Sequence, residues 1–320
     1  MKLFYLILFI GLAMIGFSQD EVKKKSKPAE QVYQINDELQ YVYPRPKFFN
    51  FITGIPKNYL NLGRASVKKQ NFKWLGLTVA TTLVLLQTDE RLLDATENLQ
   101  NLGLEKDHDH GDIAGILTYP KNTSSVIYYL GHGNTSLLIG AGLLIAGGVK
   151  KDYRAIHTSS EIVEGILTLG VLTQGLKRVF GRESPYVKTQ EGGKWSGFPG
   201  WNEYMSNTPY YDAMPSGHVA TLTSTVTILA KNYPEVKWIR PVGYTLIGVL
   251  GLEMMNSGVH WASDYPLGIL IGYSVGTVVA KSKITKVKAN KFSNKPKGFN
   301  TNLTYNRLYG DHLIGLKFVF

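Results

Sequence analysis

Two short segments rich in small and polar residues stand at the start of apolar runs of helical length. The first, Met214–His218, opens the run 217–231, and the second, Gly258–Asp264, opens the run 264–281. Each segment contains a histidine. Because the first turn of a helix presents unpaired N–H groups and partial positive charge, it binds anions readily. A fold that joins the two helix starts would therefore place two imidazoles around an anion site, which indicates phosphoryl chemistry.

The body of the chain contains further apolar runs with helical spacing. The runs cover residues 72–87, 124–148, 160–177, 217–231, 238–257 and 264–281. A third polar segment, Lys177–Pro185, closes the third run with cations, which suit the negative end of a helix dipole. Its position, together with that of the two helix-opening segments, predicts that all three lie at one end of a helical bundle.

The three segments, taken in order, resemble the signature of the superfamily of type 2 phosphatidic acid phosphatases and vanadium-dependent haloperoxidases. That signature has the pattern Lys-x6-Arg-Pro, then Pro-Ser-Gly-His, then Ser-Arg-x5-His-x3-Asp. The residues that match it are Lys177 and Pro185 in the first motif, Ser216, Gly217 and His218 in the second, and His260 and Asp264 in the third.

The resemblance extends over about residues 70–282 and implies an all-α fold, a six-helix phosphatase/haloperoxidase-like bundle. Near the end of the sequence, Phe299–Tyr305 and Leu313–Phe320 flank a Tyr-Gly-Asp turn and predict a small β-hairpin. We therefore expect a phosphatase-like helical domain at 71–282, followed by a basic linker and C-terminal hairpin at 283–320.

The first residues have the features of an export signal. Lys2 gives a basic start, Leu3–Phe17 an apolar core, and Ser18 a small residue at the −1 position. We predict a signal peptide at 1–18 that is cleaved after Ser18, followed by a basic, partly disordered segment at 19–70. An uncleaved anchor helix is the alternative.

Three positions, in two of the motifs, depart from the superfamily pattern. Ser184 stands where the first motif has arginine, and Glu253 and Met254 replace the Ser-Arg pair of the third. In the family both arginines hold phosphate oxygens, and a guanidinium does so with a permanently charged, bidentate fork. Arg182 and Arg178 are the nearby cations, and Arg182 is our candidate for the replacement.

The resemblance implies a covalent mechanism for the matched histidines. His260 is expected to attack phosphorus through one ring nitrogen, while Asp264 accepts a hydrogen bond from the other nitrogen and fixes the tautomer. His218 is expected to protonate the leaving oxygen and then to activate water.

Phosphate binding is assigned to Lys177, Ser216 and Gly217, with Arg182 in support. We expect no metal and no other cofactor at this site. By resemblance, the substrate is a phosphomonoester or pyrophosphate, lipid-linked, such as phosphatidate, an isoprenyl pyrophosphate or a lipopolysaccharide anchor phosphate.

Two alternatives belong to other functional classes. The missing arginines favour a catalytically weakened or inactive family member that acts as an envelope phospholipid- or phosphate-binding protein. A vanadate haloperoxidase would use the same pocket with vanadate held by His260, but it normally needs the full set of cations. Phosphate release and vanadate-dependent bromide oxidation distinguish the three.

The amino-acid composition limits the cell compartments and the classes of partner that suit this chain. The chain of 320 residues has no cysteine, which excludes disulfides and thiolate chemistry, and it carries a formal net charge of +11. Such charge suits an anionic lipid surface, whereas no nucleic-acid-binding motif accompanies it. The mean hydropathy of −0.08 is low for a chain made mostly of membrane spans. We expect a periplasmic, membrane-associated protein, with integral insertion as the alternative.

Other polar or aromatic segments receive weaker assignments. The aromatic-rich loop 186–214 is either a substrate rim or a packed cap. His108–Asp112 contains side chains that can bind metals, but we interpret it as a polar loop. His132, His157 and His312 are given no role.

Overall fold

The computed structural model describes most of the chain. The described residues are 29–96, 99, 101, 103–113, 117–289, 300–308 and 311–319. The predicted signal peptide at 1–18 lies outside them.

Helices form most of the described structure. They are α1 (Asn50–Thr53), α2 (Ile55–Ser66), α3 (Phe72–Leu86), α4 (Asp89–Thr96), α5 (Thr123–Leu130), α6 (Gly133–Lys150), α7 (Tyr153–Phe180), α8 (Trp201–Ser206), α9 (Gly217–Asn232), α10 (Ile239–Asn256) and α11 (Tyr265–Lys281). The strands are β1 (Glu30–Asn36), β2 (Leu39–Pro44), β3 (His110–Ile113), β4 (Leu117–Pro120), β5 (Thr285–Lys288), β6 (Asn300–Leu308) and β7 (Asp311–Val319). The predicted all-α bundle and its C-terminal hairpin are confirmed.

Helix α9 lies at the centre of the bundle. One face packs on α7 and α11 through a core that includes Ile162, Ile228 and Val275, and another packs on α10 through residues that include Val219 and Leu250. Burial of apolar side chains on two faces explains why this serine- and threonine-rich segment is stably helical within the fold.

Small residues bring α11 unusually close to α9. A Cβ atom added to Gly268 would lie 2.8 Å from the carbonyl oxygen of Ser216, and one added to Gly276 would lie 2.7 Å from that of Ser224. Gly272, one turn from each, faces the Ala220 carbonyl in the same way. Backbone contact along three turns fixes the starts of the two helices next to each other.

The predicted helical run at 124–148 is wrong in one respect, because it is two helices that meet at 67°. The break falls at Gly131 and His132, where the imidazole of His132 caps α6 by accepting from the Asn134 amide at 3.3 Å. A Cβ atom on Gly131 would lie 2.7 Å from the Cβ of His218. The bend therefore lets this corner of the bundle approach α9.

The third run is longer than predicted. Helix α7 begins at Tyr153, where the Asp152 carboxylate accepts the Ala155 amide at 3.0 Å, and it ends at Phe180 before Gly181, whose φ is 55°. This extra length carries α7 from one end of the bundle to the other, with Lys177 in its last turn.

The segments that flank the bundle pair with each other. Strand β2 lies between β1 and β5 in an antiparallel sheet, with Leu39 opposite Lys288. The buried Tyr43 hydroxyl donates to Asn232 on α9 at 2.8 Å. Residues 30–66 of the segment predicted as partly disordered thus include β1, β2, α1 and α2, and the sheet that flanks the bundle packs against it.

Hydropathy over the described helices gives a limited result for membrane crossing. None of them alone has the length and apolar character of a span, whereas the bent pair of α5 and α6 passes together on those two criteria.

Candidate active site

The second and third motifs meet where α9 and α11 begin. Ser216 is fully buried, and its hydroxyl caps α9 by accepting the Val219 amide at 3.4 Å. The Ser216 amide donates to the carbonyl oxygen of Asp264 at 3.2 Å. Two polar segments separated in sequence are therefore joined by backbone bonding, as the motif pattern predicts.

His260 and Asp264 form the buried core of the site. The Nδ1 atom of His260 lies 3.5 Å from Oδ2 of Asp264, and that oxygen also accepts the Trp261 amide at 2.8 Å. Burial by itself raises the pKa of Asp264, but the Arg182 guanidinium, His260 and the Trp261 amide together bring that pKa below its ordinary value. Asp264 is therefore a carboxylate that faces Nδ1, which leaves Nε2 of His260 for chemistry.

His218 lies close enough to His260 for the charge of one ring to act on the other. Its Nε2 atom is buried and has no hydrogen-bond partner in the described part of the chain. Burial lowers the pKa of His218 well below its ordinary value near 6.5, and the positive charge of His260, Lys177, His132 and His108 lowers it further. In the unliganded site His218 is neutral, with one nitrogen available.

Lys177 reaches the same place from the end of α7. Its ammonium lies 3.2 Å from Oδ2 of Asp212, and it would be 3.9 Å from a Cβ atom on Gly217. The lysine is 8% exposed, whereas the Asp212 side chain is 26% exposed. The predicted phosphate-binding residues Lys177, Ser216 and Gly217 are thus brought together, and Asp212 adds a competing anion that the motifs do not reveal.

The prediction that Arg182 holds phosphate does not fit the structure. Its guanidinium is fully buried, and all five of its N–H bonds are used. They donate to the Gly192 carbonyl from Nε and Nη2, to Ser263 Oγ and Asp264 Oδ1 from Nη1, and to Asp89 Oδ2 from Nη2. Arg182 therefore contacts the carboxylate behind His260 and has no donor left for a substrate.

Arg178, the other cation near the first motif, also lies elsewhere. It donates to the Gln174 carbonyl at 3.1 Å and lies over the rings of Trp201 and Tyr204, at 5.1 Å and 4.1 Å. It belongs to the aromatic loop, where Phe198 is 77% exposed and Tyr204 is buried. The loop thus combines an exposed rim with a packed interior.

The two positions that have arginine in the superfamily point away from a ligand role. Ser184 is buried, and its amide donates to the Pro209 carbonyl at 2.9 Å. Met254 is fully buried in the core beside Leu250, while its carbonyl accepts the His260 amide at 3.1 Å. Met254, which stands at the position of the third-motif arginine, is therefore part of the hydrophobic core.

Glu253, the neighbour of Met254, introduces a carboxylate instead. Its Oε1 atom accepts from Nε2 of His108 at 2.6 Å, and its Oε2 atom is buried without a partner among the described residues. The His108 ring lies 4.1 Å from that of Tyr128, which lies 4.5 Å from that of His218. His132 completes this group at 6.0 Å from His218.

The sequence motifs do not reveal this group. Because neither His108 nor His132 lies in a motif, the sequence predicts a polar loop for the first and no role for the second. The only local signal was the density of histidine and aspartate at His108–Asp112. Over the described residues, no set of three or more His, Asp or Glu side chains is arranged to hold a metal ion.

Comparisons with known proteins cover part of the chain. Residues 160–288, which include all three motifs, match the family model of the PAP2 superfamily. A lipid A 1-phosphatase of Porphyromonas gingivalis is 33% identical over 66 residues, which are 20% of this chain and 15% of that protein. The chain thus spans about 15% of the length of this relative.

A solved structure gives a further match. It is a transmembrane PAP2-type phosphatidylglycerolphosphate phosphatase from Bacillus subtilis, with a TM-score of 0.32 and 15% identity over 73% of this chain and 96% of that chain. The part of the chain that carries the three motifs, residues 160–288, therefore has the sequence pattern of the PAP2 superfamily.

Proposed function

We infer that this protein is a metal-independent phosphatase that hydrolyses a lipid-linked phosphomonoester or pyrophosphate through a phosphohistidine. One observation carries the proposal: a carboxylate-paired His260 lies in the same site as His218, whose Nε2 is buried and unpartnered. The match to the PAP2 superfamily supports the reaction class, and the named activity of the P. gingivalis relative supports a lipid phosphate.

In the first step, Nε2 of His260 attacks phosphorus, so that a P–N bond forms as the P–O bond to the leaving group breaks. Asp264 accepts the Nδ1–H bond and stabilises the positive charge that develops on the ring. His218 gives its proton to the leaving oxygen. Lys177 and the amides at the start of α9 bind the phosphoryl oxygens.

In the second step, neutral His218 takes a proton from water, which attacks the phosphohistidine. Inorganic phosphate leaves, and His260 is restored. Because the pKa of His218 is lowered in the empty site, the free enzyme carries this proton only at pH values below that pKa. A phosphate anion beside the ring then stabilises the imidazolium in the complex, so that the ring keeps its proton until the leaving oxygen takes it.

Membrane association follows from the surface of the bundle. Helices α3 and α6 expose many large apolar side chains, which a protein surrounded only by water rarely does over a continuous area. The exposed residues are Phe72, Trp74, Leu75, Leu77, Val79, Leu83 and Val84 on α3, and Leu138, Ile139, Leu144, Ile145 and Val149 on α6.

We place the protein in the cell envelope, facing the periplasm, after cleavage at Ser18. N-terminal sequencing of the envelope protein tests the cleavage, and alkaline carbonate extraction separates peripheral from integral association.

An envelope phosphate-binding protein without turnover is the second candidate. Ser184 and Met254 provide no cation, Arg182 has no free donor, and Lys177 is already paired with Asp212. These observations weaken transition-state stabilisation but leave an anion site at the helix starts.

Phosphate release from a panel of lipid phosphates and pyrophosphates tests the proposal. The purified full chain in detergent should release phosphate from at least one of them, and His260→Ala should abolish that release. If the wild type releases none but binds orthophosphate or tungstate in calorimetry, the binding-protein candidate is correct.

A further inference from the structure

We propose that Asp89 and Arg182 form a positioning pair that holds Asp264, and through it His260, in the attacking geometry. The proposal rests on the proposed function only for its kinetic test. Asp89 lies at the start of α4, 93 residues before Arg182 and outside the region that matches the superfamily. The three motifs give it no role.

Asp89 is buried and receives donors from two different segments. Its Oδ2 atom accepts from Arg182 Nη2 at 2.7 Å and from the Ser263 hydroxyl, and its Oδ1 atom accepts the Ser263 amide at 3.0 Å. Ser263 immediately precedes Asp264. The carboxylate of Asp89 thus fixes both the guanidinium and the backbone that carries the catalytic aspartate.

Arg182 completes the arrangement from the opposite direction. Its Nη1 atom donates to Asp264 Oδ1 at 2.8 Å and to Ser263 Oγ at 2.6 Å. Its guanidinium carbon lies 4.9 Å from the ring of Trp195 and 5.0 Å from that of Trp261, so the group is enclosed as well as bonded. With Oδ1 held by Arg182, the Oδ2 atom of Asp264 is left for His260.

The charges explain how Asp89, which contacts Arg182 and not His260, affects His260. Asp89 and Asp264 share a single guanidinium, so the group retains one excess negative charge. That charge favours the cationic ring of His260 as the P–N bond forms. Without Asp89, Arg182 would neutralise Asp264 alone, and the negative potential at His260 would fall.

The test compares Asp89→Asn with Asp94→Asn. The first substitution removes the buried charge at nearly constant shape, and the second makes the same change at an exposed position on the same helix. For Asp89→Asn we expect kcat to fall about 10- to 100-fold, the range found for residues that orient metal-ligating histidines. The KM value should change less than about twofold, because Asp89 is distant from the substrate site. Asp94→Asn should match the wild type.

A second measurement does not require turnover. The ring resonances of His260 in NMR, assigned with His260→Ala, should shift in Asp89→Asn and keep their wild-type positions in Asp94→Asn, because Asp89 holds the Ser263 amide and the guanidinium that contacts Asp264. Arg182→Lys keeps the charge but loses the bidentate fork, so it should lower kcat and move the same resonances. A folded Asp89→Asn protein whose His260 resonances are unchanged overturns the positioning role, whether or not the chain is an enzyme.

Discussion

The two sides of the candidate site differ in how completely their polar groups are paired. On the His260 side, every N–H of Arg182 has an acceptor and both oxygens of Asp264 accept hydrogen bonds, while Nδ1 of His260, 3.5 Å from Asp264, is buried without a hydrogen-bond partner in the described structure. On the His218 side, Nε2 of His218 and Oε2 of Glu253 are buried without partners among the described residues. We call the first side the paired side, because the Arg182 and Asp264 hydrogen bonds hold its geometry, and the second the unpaired side.

The free-energy cost of burying polar groups also differs between the two sides. A buried polar group without a partner costs about 1–3 kcal/mol, so the hydrogen bonds to Arg182 and Asp264 offset the cost of burying the polar groups of the paired side. The pKa directions agree with this division. The pKa of Asp264 is lowered because the Arg182 guanidinium, His260 and the Trp261 amide outweigh its burial, whereas that of His218 is lowered because burial and like charges disfavour its proton.

The largest expected effect is loss of the nucleophile on the paired side. His260→Ala should reduce kcat by roughly 10⁴-fold or more, as for other catalytic nucleophiles that act as part of a unit. Phosphate release in detergent measures it, with a thermal unfolding curve to establish that the variant is folded. Full activity in this variant would exclude a phosphohistidine on His260.

On the unpaired side, His218→Ala should reduce kcat by about 10²- to 10⁴-fold for alkyl phosphates and much less for p-nitrophenyl phosphate, whose leaving group needs no acid. In the wild type the acid form of His218 exists only below its lowered pKa. The kcat/KM value for alkyl phosphates should therefore decline as pH rises, with its midpoint below 6.5. An equal loss for both substrates, or a midpoint above 7.5, would assign the proton to another group.

Restoring the third-motif arginine with Met254→Arg should lower the stability of the fold. Met254→Arg places an unpaired cation in the core, so we expect the free energy of unfolding to fall by about 3 kcal/mol or more. Met254→Leu conserves volume and should cost less than about 1.5 kcal/mol. Urea unfolding measures both, and a stable, more active arginine variant would show that the side chain reaches the phosphate after all.

The smallest effect concerns Asp212, which competes with phosphate for Lys177. Partly exposed ion pairs are worth about 0.2–1 kcal/mol, so Asp212→Asn should lower KM by about 1.4- to 5-fold with little change in kcat. A raised KM would mean instead that Asp212 holds Lys177 in its binding position.

Local spacing accounts for what the sequence predicts well. Asp264 lies four residues after His260, and Ser216 caps the helix whose second residue is His218. Both the His260–Asp264 pairing and the Ser216 cap therefore join residues that are close in sequence. The role predicted for Arg182 failed because its donors are taken by Asp89 and Gly192, whose approach depends on the whole fold. The sequence alone does not show whether the N–H groups of an arginine are already used in hydrogen bonds within the protein.

The same limit applies to the His218 side. His108 comes to Glu253 across 145 residues, a contact that depends on the whole fold. The bend at Gly131 and His132 interrupts a run whose apolar residues continue at helical spacing on both sides, so apolar periodicity alone does not reveal it.

The contact between α9 and α11 determines how this site can move. Gly268, Gly272 and Gly276 bring α11 directly against the backbone of α9. His218 and His260 lie at the starts of these two helices, so the helix contact leaves the two histidines little freedom to move apart. For the phosphatase proposed above, any opening that admits a substrate should therefore come from segments other than α9 and α11.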